Sequence, residues 1–159
     1  MMRLKLLLAA LFIGIISTFS ACNEPGTLVD QRTEIKEQTW FYTNKFKVEV
    51  KVEDTSVPYN VYFILRHAAE YKYSNIFILM HQTTPDHRTK TIRYEFKLAN
   101  PDGEWLGNGS GSLYSYVLPL YTNFRFPIKG NYTFSLEQNM RDNPLRSIAD
   151  VGLRVERAK

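Results

Sequence analysis

Apolar and polar residues alternate with a period of two in four separate segments of the chain. The segments are residues 46–52 (FKVEVKV), 92–98 (IRYEFKL), 132–137 (YTFSLE) and 151–156 (VGLRVE). Because successive side chains of a β-strand point to opposite faces, this pattern predicts strands with one buried and one solvated face. A chain dominated by such strands has to bury the apolar face of one sheet against another sheet.

Three further segments extend this prediction. Residues 59–65 (YNVYFIL) and 76–80 (IFILM) are apolar at nearly every position, which predicts central strands covered on both faces. Residues 113–121 (LYSYVLPLY) contain Pro119, which cannot donate a hydrogen bond to a neighbouring strand. This segment is therefore predicted to be an edge strand or a bulged one.

Turn sequences rich in Pro, Asp, Asn and Gly separate these segments, and convincing helical periodicity is absent. The seven segments, with one or two more strands around Trp40 and Phe124, predict an all-β fold. We expect a single antiparallel β-sandwich, either jelly-roll-like or immunoglobulin-like.

The N-terminus has the pattern of an export signal. A basic head precedes an apolar run at residues 6–16, which is too short to span a bilayer and fits a secretory signal. Residues 19–22 (FSAC) resemble the lipobox of bacterial lipoproteins. The resemblance implies cleavage between Ala21 and Cys22, followed by acylation of the Cys22 sulfur and of the new amine. The alternative is an ordinary secretory signal that leaves the chain's only cysteine as a free thiol.

These features divide the chain into three predicted parts. Residues 1–21 are the lipoprotein signal peptide, residues 22–35 are the lipidated Cys22 and a polar tether, and residues 36–159 are the β-sandwich domain. Two of the 20 basic residues lie in the signal, which leaves 18 basic residues against 16 acidic ones. This small excess gives no reason to predict nucleic acid as a partner.

Motifs for metal or phosphate binding are weak. Residues 107–112 (GNGSGS) lack the lysine of a phosphate-binding loop, so we predict a flexible hairpin loop or a bulge between strands. The three histidines, His67, His81 and His87, lack the spacing of a zinc site and are predicted to be structural or solvated. His67 lies at a strand end, where it is placed to pair with a carboxylate. We predict no metal and no cofactor.

Motifs for catalysis are also weak. The sequence has no Gly-x-Ser-x-Gly elbow, and no pattern pairs any two of Glu95, Asp102 and Glu104. We therefore predict no catalytic residue, no enzyme activity and no small-molecule substrate. A hydrolase stays an alternative, and it would show two facing carboxylates in a cleft or a Ser-His contact.

Several stretches together with the lipobox carry a resemblance to one family. They are residues 62–67 (YFILRH) followed by Tyr71 and Asn75, 101–109 (PDGEWLGNG), 130–134 (GNYTF), 137–141 (EQNMR) and 148–156 (IADVGLRVE). In this order they resemble the gliding-motility lipoprotein GldH family of the Bacteroidetes. The resemblance implies a lipid-anchored envelope protein with a structural or assembly role in gliding motility, and by association with the type IX secretion machinery. It implies envelope and gliding-machinery proteins as partners, and no catalytic residues to carry over.

The residues after Cys22 bear on localisation. Residues 23–26 (NEPG) lack the acidic run that resembles a surface-export signal in this phylum. They also lack an Asp directly after the cysteine, which retains lipoproteins in the inner membrane of other bacteria. We therefore predict anchoring in the outer membrane, on its periplasmic face.

Two loops after predicted central strands are the candidate interface. Residues 71–75 (YKYSN) and 104–108 (EWLGN) place large aromatics beside polar residues, outside the strand pattern. Aromatic residues are enriched where interfaces concentrate their binding energy, and loops on a rigid sandwich often carry function. The predicted interface residues are Tyr71, Tyr73, Asn75 and Trp105. Two alternatives stay open: the aromatics cap the sandwich, or the protein is a glycan-binding module with a coplanar row of exposed rings on one sheet face.

Overall fold

The structure, a computed structural model, describes residues 26–109 and 111–159. The described residues form eleven β-strands and one short 3₁₀ helix (Lys36–Gln38), and every strand pairing is antiparallel. The strands are β1 (Thr27–Glu34), β2 (Thr39–Trp40), β3 (Phe46–Val52), β4 (Tyr59–Ala68), β5 (Asn75–Thr83), β6 (Thr89–Lys97), β7 (Asn108–Gly109), β8 (Leu113–Phe124), β9 (Gly130–Gln138), β10 (Leu145–Arg146) and β11 (Ile148–Arg157).

Two sheets face each other across the core. One has the order β1-β11-β4-β8-β7 and the other the order β3-β9-β5-β6, while β10 and β2 form a separate two-stranded pair. Among the eight long strands, every connection except the β5–β6 hairpin crosses from one sheet to the other. Eight strands in two sheets with these crossovers form a jelly roll. The predicted antiparallel β-sandwich is confirmed, and its topology is the jelly-roll variant.

The period-two segments place one face of each strand in the core. In β3 the apolar residues are buried and the charged ones exposed in strict alternation. In β9, Tyr132, Phe134 and Leu136 are fully buried and belong to the same hydrophobic cluster as β3. The prediction of which face is buried is confirmed in both strands.

The two apolar segments are central strands, as predicted. β4 lies between β11 and β8, and β5 lies between β9 and β6. The expected cover on both faces is wrong for β5, whose burial alternates because its outer face carries half-buried side chains. On that face the Arg93 guanidinium lies 4.0 Å from the Phe77 ring centroid and shields it in part.

Strand β8 combines both effects predicted for its proline. β7 pairs only with Ser115 and Tyr114, so the rest of β8 is the edge of its sheet within the described residues. The register with β4 shifts on both sides of Val61, close to where Tyr62 faces Pro119. A proline is tolerated there because the ladder is already interrupted.

Strand β1 corrects the predicted domain boundary. The tether predicted over residues 22–35 is wrong from Thr27 onward, because Thr27–Glu34 pairs with β11 along its length. The strand escaped sequence analysis because it is a polar edge strand with only two apolar residues, Leu28 and Val29. The sandwich therefore begins at β1 and not at residue 36. The predicted signal peptide and Cys22 lie outside the described residues.

The strands define two ends of the sandwich. At the N-terminal end, β1 begins, the loops 53–58 and 125–129 connect the two sheets, and the loop 84–88 closes the β5–β6 hairpin within one sheet. At the opposite end, called the cleft end below, the connections are residues 41–45, 69–74, 98–107 and 139–144. Within the described part of the chain, no helix has the length and apolar character needed to cross a membrane.

Candidate functional site

An open cleft of about 720 Å³ lies at the cleft end of the sandwich. Its walls come from the loop after β4, the end of β6 and the loop that follows β6. All four predicted interface residues, Tyr71, Tyr73, Asn75 and Trp105, line this cleft. The structure therefore brings together two loops that are 30 residues apart in sequence.

The loop that carries Trp105 is a short hairpin. The Gly103 amide donates to the Asn100 carbonyl at 2.9 Å, and Gly103 has a φ of +88°, which a side chain would strain. The Leu106 amide then donates to the Leu98 carbonyl at 2.8 Å. This closure directs Trp105 back against the sandwich.

The loop that carries Tyr71 and Tyr73 is fixed to the same hairpin. The Ser74 carbonyl accepts from the Leu98 amide at 2.7 Å and from the Ala99 amide at 3.1 Å. The Tyr71 hydroxyl donates to the Asn75 carbonyl at 3.0 Å. The two walls of the cleft are therefore joined through the backbone and form a pre-organised surface.

The floor behind the cleft is an aromatic cluster centred on His67. The imidazole is fully buried, and its ring centroid lies 4.4 Å from that of Trp105 and 5.0 Å from that of Tyr71. Tyr114 and Tyr116 stack on it at 5.9 and 5.2 Å. We call these five residues the His67 cluster.

The hydrogen bonds of His67 define its tautomer. Nδ1 lies 2.8 Å from the Ala68 carbonyl, which only accepts, so Nδ1 carries the proton. Nε2 lies 3.2 Å from the Tyr116 hydroxyl, which has a single proton to donate and also donates to the Leu98 carbonyl at 2.8 Å. Burial lowers the pKa of His67 below its ordinary value, although the Ala68 carbonyl opposes this shift. The imidazole is thus held neutral, and the prediction that it pairs with a carboxylate is wrong.

Tyr73 connects the cleft to the next loop. Its hydroxyl donates to the Asp142 carboxylate at 2.5 Å, and the Lys72 amine lies 3.5 Å from the same carboxylate. The hydrogen bond from Tyr73, assisted by the Lys72 charge, lowers the pKa of Asp142. The same hydrogen bond raises the pKa of Tyr73. Tyr73 also borders two further clefts of about 450 and 470 Å³.

The rest of the cleft wall is polar. The Asn75 amide nitrogen donates to Glu95 at 2.7 Å, and the Lys97 amine donates to the Asn100 side-chain oxygen at 3.2 Å. These groups are solvated and already hydrogen-bonded. They suit the rim of a protein contact, where polar groups surround an aromatic centre.

Exposed apolar residues are concentrated at this same end. Five large apolar side chains are exposed among the described residues, and three of them, Phe41, Tyr42 and Leu106, lie at the cleft end. The Asn143 side-chain oxygen accepts from the Tyr42 amide at 3.0 Å, next to the Asp142 that binds Tyr73. Hydrogen bonds therefore link the loops into one surface, from Tyr42 through Tyr73 to Leu106. We call it the cleft-end surface.

The four predicted interface residues differ in exposure. The prediction that Tyr71 displays its ring is wrong, because it is only 4% exposed and its hydroxyl is satisfied within the chain. Trp105 and Tyr73 are half-buried and pack against the core cluster while lining the cleft. Asn75 is half-buried at the cleft wall. Tyr71 therefore caps the sandwich entirely. Trp105 and Tyr73 cap it with one face of the ring and line the cleft with the other.

Sequence reasoning missed Asp142 and Leu106 as members of this surface. Asp142 reaches Tyr73 from a loop 69 positions away, and the local sequence contains no signal for that contact. Leu106 stands in the stretch selected for Trp105 and is 50% exposed. An apolar residue in a polar loop was the available signal for Leu106.

Neither a metal site nor a platform for a glycan is found among the described residues. No group of three or more His, Cys, Asp or Glu side chains among them is placed to hold a metal ion. The outer faces of the two sheets carry one aromatic each, Tyr62 and Phe77, so the described strands show no row of rings for a glycan. Residues 108–109 pair with β8, which confirms the hairpin predicted for the glycine-rich stretch.

The fold and the site define a single jelly-roll domain whose predicted interface residues converge at one end. The family model described as GldH lipoprotein matches residues 27–155. A gliding motility lipoprotein GldH homolog from Christiangramia forsetii is 30% identical over 155 residues, which cover 93% of this chain and 94% of that protein. The gliding motility lipoprotein GldH of Flavobacterium johnsoniae is 30% identical over 124 residues, covering 74% of this chain and 77% of that protein. The chain belongs to the GldH lipoprotein family.

Membership confirms the predicted resemblance and makes the chain a membrane-associated lipoprotein of gliding motility. The GldH family is not a known enzyme family. Among solved structures, the chain is similar to a carbohydrate-binding module specific for non-crystalline cellulose. That likeness has a TM-score of 0.45 and 9% identity, over 82% of this chain and 73% of the module.

Proposed function

We propose that the protein is a lipid-anchored envelope component that acts in gliding motility as an assembly protein, through a protein interface at the cleft-end surface. The observation that carries this proposal is that two distant loops converge on one cleft. Two distant loops, joined by backbone hydrogen bonds, place Tyr73 and Trp105 in one open cleft. The same end holds three of the five exposed large apolar side chains of the described residues. Exposed apolar groups with a polar rim mark protein interaction sites.

The proposed role is binding without catalysis, cofactor or small-molecule substrate. Glu95, the one carboxylate of the described residues that lines the cleft, accepts from Asn75, and Asp142 behind Tyr73 accepts from that tyrosine. The buried imidazole is held neutral behind the rings and is separated from solvent. A wide, open cleft suits a protein partner better than an enclosed ligand, which normally loses most of its surface to the pocket.

The anchor proposed for this role is Cys22, exposed by cleavage after Ala21 and acylated on the periplasmic face of the outer membrane. Two or more acyl chains anchor a protein stably, since each buried CH₂ contributes about 0.8 kcal/mol. Cys22→Ala is expected to leave the domain folded and release it into the soluble fraction. Complete retention of this variant in the membrane pellet would contradict the anchor.

The interface is tested with exposed residues, so that folding and binding are separated. Leu106→Glu introduces a charge into the cleft-end surface, and Val117→Glu is the matched control, since the two side chains are 50% and 53% exposed. Val117 lies on the outer face of the five-stranded sheet. A photo-crosslinking residue at position 106 is expected to give discrete adducts with envelope proteins in cells, and one at position 117 is not.

In a strain that lacks the native gene, the Leu106→Glu protein is expected to stay folded and anchored but to fail in restoring colony spreading. The Val117→Glu protein is expected to restore it. Equal spreading with both variants, at equal protein levels, would contradict an interface at the cleft end. The proposed association with type IX secretion predicts that cells without this protein also release less cargo of that machinery into the medium.

A further inference from the structure

The N-terminal end of the sandwich carries a surface suited to contact with a membrane. We propose that this end rests on the phospholipid surface that holds the anchor, with Ile128 and its basic neighbours as the contact. The inference rests on the proposed Cys22 anchor. It goes further, because an anchor alone does not require any surface of the folded domain to contact the membrane.

The segment between Cys22 and the start of β1 is short. The Gly26 carbonyl accepts from the Arg157 amide at 2.9 Å, which fixes the start of β1 at the N-terminal end. Only three residues separate Cys22 from Gly26. Fully extended, this length of chain spans at most about 14 Å. Gly26 therefore stays within that distance of a lipidated Cys22.

The N-terminal end displays an exposed apolar side chain. Among the five exposed large apolar residues of the described chain, Ile128 alone lies at the N-terminal end, and it is 37% exposed. It stands between Pro127 and Lys129, both exposed, in the loop between β8 and β9. This loop is displayed because Phe126, one residue earlier, is anchored in the core at 1% exposure. An apolar tip beside a lysine suits the boundary between acyl chains and headgroups.

Basic side chains are exposed at the same end as Ile128. Arg125, Lys129, Arg157 and Lys159 are all exposed at this end. The Lys129 and Lys159 amines form no ion pair with any residue that the structure describes. The Arg125 guanidinium donates to the Ser56 carbonyl, and Arg157 lies 3.8 Å from Asp54. Free amines beside an apolar tip can face phosphate groups without breaking an existing pair.

In a competing orientation, the domain would lie on its side on the edge strand β1. That strand is exposed from Asp30 to Glu34, a stretch that contains no apolar residue. A polar, partly acidic edge gains nothing from contact with an acyl region. The upright orientation instead places the cleft-end surface at least the length of β1 from the bilayer, roughly 25 Å for eight extended residues. The proposed protein interface then faces away from the membrane.

The test couples the mature chain through Cys22, its only cysteine, to a maleimide lipid in phospholipid vesicles. This coupling makes the result independent of whether the cell acylates Cys22 and of any partner at the cleft end. Ile128→Trp carries the probe, Leu106→Trp is the control at the opposite end, and the unaltered chain reports on Trp40 and Trp105. Nitroxide lipids labelled at the headgroup quench only tryptophans close to the surface.

The expected result is loss of most of the fluorescence added by Ile128→Trp. Little or no quenching is expected for Leu106→Trp or for the unaltered chain. Equal quenching of the two added tryptophans, or of neither, would overturn the proposal. Lys129→Glu in the Ile128→Trp background is expected to reduce the quenching in vesicles that contain phosphatidylglycerol, and no change would remove the basic residues from the contact.

Discussion

Each end of this jelly roll is closed by one ring surrounded by four others, and the two ends use different chemistry. At the N-terminal end the central ring is Phe126, whose centroid lies 4.7 to 6.4 Å from those of Tyr59, Phe124, Tyr132 and Phe134. At the cleft end the central ring is His67, at 4.4 to 5.9 Å from its four neighbours. We call the first group the Phe126 cluster.

The difference between the two clusters lies in polarity and exposure. Phe126 has no polar atom in its side chain, so the Phe126 cluster is held mainly by apolar burial and edge-to-face contacts. The His67 cluster needs donors and acceptors, which Ala68, Tyr116 and Leu98 supply. In the Phe126 cluster every ring but the half-buried Phe124 is fully buried, whereas the His67 cluster closes the core and also forms the floor of an open cleft. The same ring arrangement therefore serves as packing alone at one end and as support for a surface at the other.

The largest expected effect is in the Phe126 cluster. Phe126→Ala is expected to lower the free energy of unfolding by about 3–5 kcal/mol, because a buried aromatic is replaced by a cavity. Phe134→Ala, in the same cluster, is expected to cost about as much. Chemical denaturation provides the measurement, with Phe41→Ala as the exposed control. If Phe126→Ala unfolds at the same midpoint as that control, the N-terminal end is not closed by this ring.

A smaller loss is expected for Trp105, one of the two half-buried members of the His67 cluster. Trp105→Ala is expected to lower the free energy of unfolding by about 1–3 kcal/mol, since part of the ring packs on His67 while another part faces the cleft. Leu106→Ala is the neighbouring exposed control and is expected to be close to neutral. A Trp105 variant as stable as the Leu106 variant would show that the ring takes no part in capping.

The two clusters also differ in how they make stability depend on pH. The unfolded chain binds a proton at His67 near the ordinary pKa of 6.5, whereas the buried imidazole resists protonation because its pKa is lowered. Below pH 6.5 the unfolded state therefore binds more protons, and stability falls as the pH drops from that value towards the folded pKa. Melting temperatures measured between pH 8 and pH 5.5 are expected to show this fall.

His67→Phe is the variant that checks this assignment. Ala68 keeps the Tyr71 amide as a donor at 3.0 Å, and the Tyr116 hydroxyl keeps the Leu98 carbonyl, so neither group is left unpaired. The variant is expected to flatten the pH dependence of stability. A steep dependence that survives His67→Phe would assign the effect to another group.

The smallest effect is expected at the solvated rim. Tyr73→Phe removes the hydroxyl that donates to Asp142 but keeps the ring, so no measurable change in melting temperature is expected. The pKa of Asp142 is expected to rise towards its ordinary value, because its largest lowering influence is lost and only Lys72 remains. Carboxyl NMR titration of the two proteins measures this change. An unaltered Asp142 titration would show that the hydrogen bond is absent in solution.

The sequence by itself determined the fold class and most of the strands. Alternation in β3 and β9 predicted their buried faces because a sandwich strand has a period of two, and Pro119 predicted that β8 is an edge strand or a bulged one. It did not determine β1, because a polar edge strand is specified by its partner β11 and not by its own side chains. The family was also recognisable from the order of short stretches spread along the chain.

Only the tertiary structure decided which residues share the site. The sequence selected Tyr73 and Trp105 as aromatics without a strand position, but their meeting in one cleft depends on the loops between β4, β5, β6 and β7. Asp142 joins them from a third loop, and Tyr71 leaves the surface because its ring packs on His67. The physical reason is that local pattern fixes which face of a strand is apolar. Long-range packing and hydrogen bonding fix which loops meet and which of their side chains stay exposed.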